Sequence, residues 1–343
     1  MSDQSAGAGG LSPSRQIMQY IWPAAHIGQA LHVAAKLGIA DLISDAPRSS
    51  CELADATSTD GPALYRVLRG LTTLGIFAED EQNKFRNTPL SEALRTDHPE
   101  SVRAGAIMMG APFLWRPWGE LLGAVTTGQP AFDRVFGQSF FDYLTEHPDD
   151  ATIFNAVMTS GASATVAPVL AAYDFSRFDR IVDVGGGHGA LLKGIVSANP
   201  NLQGVLFDLP HVVGGAEAMV DDATGGQYEV VGGDFFQAVP EGADAYIVKG
   251  VIHDWSDYDA VRILSSCRRA IKPSGRLLLI ESILRPSNQP DPSKFMDLMM
   301  LVLVKGRERS ESDFRELLQK AGFSLMRIIP TTGSYSIIEG QPI

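Results

Sequence analysis

The chain has 343 residues, 45% hydrophobic and 20% charged, which is enough for a large core and two domains and excludes a disordered or low-complexity protein. Forty acidic residues against 28 basic ones give a net charge of −12, which argues against non-specific binding to nucleic acid or to an anionic membrane. The two cysteines, Cys51 and Cys267, stand far apart without metal-ligand spacing, so neither a disulfide framework nor a cysteine metal site is expected, and a reducing compartment fits both thiols.

The amino terminus, MSDQSAGAGGLSPS, shows neither a basic n-region nor an apolar h-region, so no secretory signal is expected and a cytoplasmic location is the default. Residues 1–13 are rich in Ser, Gly and Ala and read as a disordered tail. No apolar run is expected to reach membrane-spanning length; the greasiest, Phe295 to Val304, is short and carries Asp297. From Ser14 to Ile43 the pattern is helical, with Pro23 expected to divide it in two. Its face is too apolar for a solvated helix and predicts packing inside the chain or against a partner subunit.

Cys51 to Ala56 and Pro62 to Thr73 read as two helices around the turn Ser58-Thr59-Asp60-Gly61. Gly75-Ile76-Phe77 and Lys84-Phe85-Arg86 then flank the polar tip Glu79 to Asn83. Helix, turn, helix and two-stranded wing make a winged helix over residues 14–100. DNA binding is opposed by charge: residues 1–95 hold eight Lys/Arg against ten Asp/Glu, and the wing tip is acidic. A dimerisation or lid role fits better. Residues 101–170 are mainly helical and rich in Met, Phe and Trp, a helical linker that also supplies walls for a flat apolar ligand.

Strands and helices alternate over residues 171–343, which predicts a parallel doubly wound sheet closed by an antiparallel hairpin around Pro330 to Gly333. Its first unit is RIVDVGGGHGALL, a buried strand Ile181 to Val184, the glycines 185, 186, 187 and 189, and a helix. The next strand ends at Asp208, 21 residues after Gly187, where a carboxylate reaches ribose hydroxyls. Glycines permit close backbone approach to a ligand, so a nucleoside-containing ligand is expected. The same loop also satisfies the loose dinucleotide pattern and leaves a nicotinamide dehydrogenase as an alternative. Asp183, directly before the glycines, favours a cationic ligand such as a sulfonium over a pyrophosphate.

Ligands of such sheets lie outside the strand carboxyl ends. The strand near residues 228–231 runs into Asp234-Phe235-Phe236, where Asp234 suits an adenine amino group and Phe235 its ring. A helix is expected around 212–220. The strand Ala245 to Val248 runs into Lys249-Gly250-Val251-Ile252-His253-Asp254-Trp255, and His253 is the side chain best suited to take a proton near neutral pH. Either Glu281, at the end of the fifth strand, or Glu308, in Gly306-Arg307-Glu308-Arg309-Ser310, would hold the imidazole; a further carboxylate on it is redundant. No His/Asp/Glu grouping suggests a metal.

Taken in order, DVGGGHGALL, the Asp208 spacing, GDFF, HDW, ESIL and GRERS resemble the S-adenosylmethionine-dependent O-methyltransferases of the caffeate and isoflavone type, closest to the bacterial natural-product tailoring branch. The resemblance spans nearly the whole chain. It implies a Rossmann-like methyltransferase sheet, an amino-terminal winged helix that forms an intertwined dimer without reading DNA, and a small aromatic acceptor. It implies cofactor contacts from Gly185, Gly187, Asp208, Asp234, Phe235 and Lys249, with His253 as general base between Glu281 and Glu308. Met158 and Met300 fall where family methionines clamp the acceptor ring, and Trp255 shapes the same pocket. Lys305-Gly306 replaces the family's usual Gly-Gly, and Ser310 its Thr. Besides the dehydrogenase, the alternative from another class is a winged-helix regulator that senses a nucleoside.

Overall fold

A computed structural model of the chain describes residues 12–214, 227–286 and 288–343. The tail expected over residues 1–13 and the helix expected around 212–220 fall largely outside the described residues; of the latter only a short helix, Pro210–Val213, is described. The chain divides into two compact units, Met1–Trp115 and Arg116–Ile343.

In the first unit, Pro13–Lys36 is one helix with Pro23 inside it, which corrects the expected division. The proline removes one N–H and displaces the carbonyl of the residue four before it. That stretch is exposed, so water can take up the freed carbonyl. The leading half of the helix carries its apolar side chains in solvent, with Tyr20 77% and Trp22 71% exposed. Helices Ser50–Thr57 and Gly61–Thr72 follow; the second begins at Asp60, whose carboxylate accepts from Ala63 N at 2.8 Å. A small antiparallel sheet of β1 (Arg48–Ser49), β2 (Phe77–Glu79) and β3 (Lys84–Asn87), in the order β1-β3-β2, completes the unit. Leu53, Leu64, Leu68, Phe77 and Phe85 form its core. The expected helix-turn-helix and hairpin are present; the two-residue strand β1 was too short to leave a periodic signal.

In the second unit, helices lead into a seven-stranded sheet. One of them, Pro148–Ala172, is long and apolar enough to cross a membrane by length and composition alone. This corrects the reading that no segment is. Thr, Ser, Asn and Gly interrupt its apolar residues, and they lower the hydropathy far less than charges would. Thr159 Oγ1 on this helix lies 3.1 Å from His188 Nδ1, which ties it to the glycine turn.

The sheet contains β4 (Arg180–Val184), β5 (Gln203–Asp208), β6 (Tyr228–Gly232), β7 (Ala245–Lys249), β8 (Arg276–Glu281), β9 (Phe323–Pro330) and β10 (Ser336–Pro342). Their order is β6-β5-β4-β7-β8-β10-β9; the first five are parallel, and β10 runs antiparallel to both its neighbours. Val182, Val184, Val248 and Leu279 enter one core, and Ile181, Ile247, Leu278 and Ile280 the other, so the pleat buries both faces. Chain order reverses between β4 and β7, the place where sheets of this kind bind ligands at the strand carboxyl ends. The pairing of Ser336 with Glu281 brings Tyr335, just before β10, to the same edge. Ile247 is fully buried in the central strand β7. Ile247→Ala is expected to lower stability by about 2–5 kcal/mol, read from denaturant unfolding.

Candidate active site

The glycine turn is closed from two sides. Gly185 and Gly187 have φ of +70° and +60°, which glycine adopts without strain. A Cβ on Gly185 would stand 2.8 Å from Val251, and one on Gly186 2.7 Å from Asp183 Oδ2, whereas one on Gly187 would meet nothing within 4 Å. The turn therefore presses on Val251 and the strand side chains at its first two glycines and, among the described residues, borders open space at the third. Asp208 accepts from Gly187 N at 2.8 Å and Leu209 N at 2.7 Å, which braces the turn and leaves lone pairs free on the carboxylate. Burial raises the Asp208 pKa against the pull of these two N–H groups.

Asp183 is 1% exposed, and its Oδ1 has no hydrogen-bond partner among the described residues. Burial pushes it up to about 7; Lys249, at the end of β7, pulls it down, and Asp208 pushes it up. The Lys249 ammonium is in turn weakened by burial, sustained by Asp183 and Glu281, and sits 5.4 Å from the Tyr335 ring centre. Asp234 holds its own turn, accepting from Phe236 N at 2.8 Å and Gln237 Nε2 at 3.3 Å. Phe235 reaches the glycine turn, its Cε1 3.8 Å from a Cβ built on Gly185.

Beyond Lys249 the chain turns through Gly250, φ +61°, into one turn of 3₁₀-helix, Ile252–Asp254. Ile252 is fully buried and anchors the turn. Glu281, 0% exposed at the end of β8, serves this turn with both oxygens. Oε1 accepts from Val251 N at 3.1 Å and Ile252 N at 2.8 Å, and Oε2 lies 2.7 Å from His253 Nδ1. Glu308 Oε1 stands 4.0 Å from the same nitrogen, and its Oε2 is buried without a partner among the described residues. Asp254 Oδ1 lies 3.5 Å from Nε2. Burial disfavours charge on His253, but Glu281, Asp254 and Glu308 outweigh it and raise the imidazole pKa well above its ordinary value. Burial likewise pushes Glu308 up to about 7 and Asp254 up to about 6.

Trp255 closes one side, edge-on to Phe235 and Phe236 and stacked on Phe141 at 5.9 Å. Met300 is buried on helix Ser293–Leu303, and Met158 is 45% exposed on helix Pro148–Ala172. The structure thus brings His253, Glu281 and Glu308 together, and separately Asp183 with Lys249 and Gly187 with Asp208.

Comparison with known proteins decides the family. Residues 118–324 match the O-methyltransferase domain and residues 22–97 the O-methyltransferase dimerisation domain. The chain is 42% identical over 318 residues to the phenazine O-methyltransferase of Lysobacter antibioticus, covering 92% of this chain and 93% of that protein. The chain belongs to the S-adenosylmethionine-dependent O-methyltransferases. A further relative, the mitomycin biosynthesis 6-O-methyltransferase of Streptomyces lavendulae, is 39% identical, with 94% of this chain and 92% of that one covered. An O-methyltransferase from neocarzinostatin biosynthesis, solved with S-adenosylmethionine and 2-hydroxy-5-methyl naphthoic acid, superposes with a TM-score of 0.83 at 32% identity, covering 93% of this chain and 96% of that one. This methyltransferase uses S-adenosylmethionine, and its dimerisation domain makes it a homodimer. The cofactor fits the residues present: an unpartnered buried carboxylate at Asp183 suits a cationic ligand, and the open space at Gly187 admits one beside Asp208.

Sequence reasoning missed the parts of the methyltransferase that hold the His253 turn in place. Arg309 is 1% exposed, and its guanidinium donates to Ile252 O at 2.7 Å, Trp255 O at 2.9 Å and Asp257 Oδ1 at 2.8 Å. Its backbone pairs with Ile283 just past β8, and the neighbouring Glu308 N donates to Asp297 Oδ1 at 2.8 Å. A Cβ on Gly306 would overlap the His253 carbonyl oxygen and the Asp254 carbonyl carbon, so the second glycine of the usual pair is the indispensable one. Nothing in the one-dimensional pattern distinguishes these from a solvated charge cluster; Gly306 beside Arg-Glu-Arg was the available signal. Gly306→Ala is expected to cut turnover by about a hundredfold through displacement of the His253 turn. Calorimetry should find cofactor affinity within about threefold of wild type, since the glycine turn is untouched.

Proposed function

We propose that this enzyme transfers a methyl group from S-adenosylmethionine to a hydroxyl of a small aromatic acceptor, with His253 as the proton acceptor. The observation that carries the reading is the Glu281–His253 pair. With Nδ1 committed to Glu281 at 2.7 Å, Nε2 is the nitrogen available to an acceptor oxygen. The relatives named for phenazine and mitomycin chemistry, and the neocarzinostatin enzyme with its naphthoic acid, support an aromatic acceptor from natural-product biosynthesis.

The residues divide the work. Gly185, Gly187 and Asp208 would hold the cofactor at the turn, with Asp234 and Phe235 at its adenine, and Asp183 and Lys249 beneath its cationic end. S-adenosylmethionine, when bound, supplies a methyl group already activated by a sulfonium. Met158, Met300 and Trp255 would grip the acceptor ring and exclude water. Glu281 orients the imidazole and stabilises its charged form, and Glu308 adds a second carboxyl on that flank. No further ionisable group is needed, because much of the rate comes from positioning.

His253→Ala should leave cofactor affinity nearly intact and lower turnover by about two to four decades, followed by mass spectrometry on a phenol library. Undiminished turnover in that variant would remove His253 from the reaction. The raised imidazole pKa also has a kinetic sign. The raised pKa favours the imidazolium, and only the neutral ring can accept the acceptor's proton. Turnover of an un-ionised phenol should therefore climb with pH toward the raised imidazole value, with no plateau at neutrality.

A further inference from the structure

Ser336 pairs with Glu281 across β10 and β8, so Tyr335 lies just beyond that pair, at the strand end that also fixes His253. Its backbone is held by Thr331, whose Oγ1 donates to the Tyr335 carbonyl oxygen at 2.6 Å. Its ring packs against the cluster that contains Ile280 and Ile337, and the Lys249 ammonium lies 5.4 Å from the ring centre. The hydroxyl at the far end of this held ring makes no hydrogen bond among the described residues. It stands 3.7 Å from the point that a Cβ on Gly250 would occupy, and His253 Cε1 stands 3.7 Å from the same point. Apart from the chain neighbours of Gly250, no other heavy atom of the described residues comes within 4 Å of that point. Gly250 thus leaves a gap about one atom wide between the imidazole edge and a phenolic hydroxyl. Cε1 adjoins Nε2, the nitrogen that Glu281 leaves available. Burial drives the Tyr335 hydroxyl toward its protonated form, and so do Glu281, Glu308 and Asp254, the carboxylates gathered around His253. It is therefore a hydrogen-bond donor on the acceptor side of the site, with nothing yet to donate to.

We propose that Tyr335 is a specificity-determining residue: its hydroxyl donates to a carbonyl oxygen carried next to the hydroxyl being methylated, and so selects phenols with an ortho-acyl group. The proposal deepens the O-methylation reading and rests on it. In a free ortho-acyl phenol the hydroxyl proton is held in an internal hydrogen bond to the carbonyl oxygen. That bond has to be given up before Nε2 can take the proton, and a donor at the carbonyl offsets the loss. Tyr335 supplies that donor within reach of the gap beside Gly250. The acceptor O–H bond then breaks, and its proton goes to Nε2. The oxygen lone pair forms the bond to the methyl carbon as the carbon–sulfur bond breaks, and sulfur keeps that pair. Tyr335 retains its own proton throughout. A phenol without the neighbouring oxygen leaves the Tyr335 hydroxyl unpaired in a largely water-free place, which makes it the poorer acceptor.

The test compares full-length wild type with Tyr335→Phe, which keeps the ring and removes the donor. The acceptors are 2-hydroxyacetophenone, whose carbonyl adjoins the hydroxyl, and 3-hydroxyacetophenone, whose carbonyl is out of reach. Tyr335→Phe should lower kcat/KM on the 2-isomer by about tenfold, and by at least about five times more than on the 3-isomer. Tyr335→Leu serves as a second variant without a donor should the phenylalanine protein fold poorly. Calorimetry should find cofactor affinity within about threefold of wild type, since the contact lies on the acceptor side. An equal loss on both isomers, no loss on the 2-isomer, or a larger fall in cofactor affinity overturns the proposal and leaves the O-methylation reading standing. So does a wild type that methylates the 3-isomer alone. Should the wild type methylate neither isomer nor any phenol of the library, the O-methylation reading falls. Calorimetry of 2-hydroxyacetophenone on the S-adenosylhomocysteine complex then decides Tyr335: affinity that drops about threefold or more in Tyr335→Phe upholds the contact, and binding that is absent or unchanged overturns it.

Discussion

The candidate catalytic machinery depends on one carboxylate. Glu281 ends the fifth strand in chain order of a parallel sheet, fully buried, and divides its two oxygens between backbone and side chain. One oxygen collects the amides of Val251 and Ile252 and so fixes where the 3₁₀ turn begins; the other fixes the imidazole that the turn carries. Three donors on one buried anion satisfy its desolvation, which an isolated carboxylate at this depth would not survive. The aim of His253 is therefore inherited from a strand end rather than from a loop.

A second layer holds that turn from behind. Arg309 draws together the carbonyls of Ile252 and Trp255 and the carboxylate of Asp257, while Gly306 admits the His253 and Asp254 backbone at a distance no side chain would allow. The guanidinium is buried, and its charge is met by Asp257 and by main-chain carbonyls, the condition under which burial of arginine is tolerated. The glycine turn is treated in the same way on the other side of the crevice, with Asp208 bracing it and Val251 pressing on it.

The sequence revealed those features that have a period or a fixed order. Alternating runs located all seven strands of the large sheet to within a few residues, and the glycines with Asp208 located the crevice. His253 and Glu281 could be singled out because they stand just past or at strand ends, where such sheets gather ligands, and Glu308 because it lies in Gly306-Arg307-Glu308-Arg309-Ser310 before a helix. Pro23 misled, because an exposed helix can carry a proline that a buried one could not. The helix Pro148–Ala172 was underestimated because small polar residues disguise its apolar character. Arg309 was illegible for a different reason. It matters through its direction in space, inward from a charge run, and a linear pattern carries no direction.

The seating of Glu281 on a strand also separates two kinds of change. Helices that would form the acceptor walls, such as Ser293–Leu303 and Pro148–Ala172, can accumulate substitutions without moving the sheet beneath them. Divergence of this scaffold can thus proceed by reshaping those helices while the Glu281–His253 pair is carried along unaltered. The reverse path is closed: any replacement at position 281 would disturb the folding of the turn and the basicity of the ring in a single step.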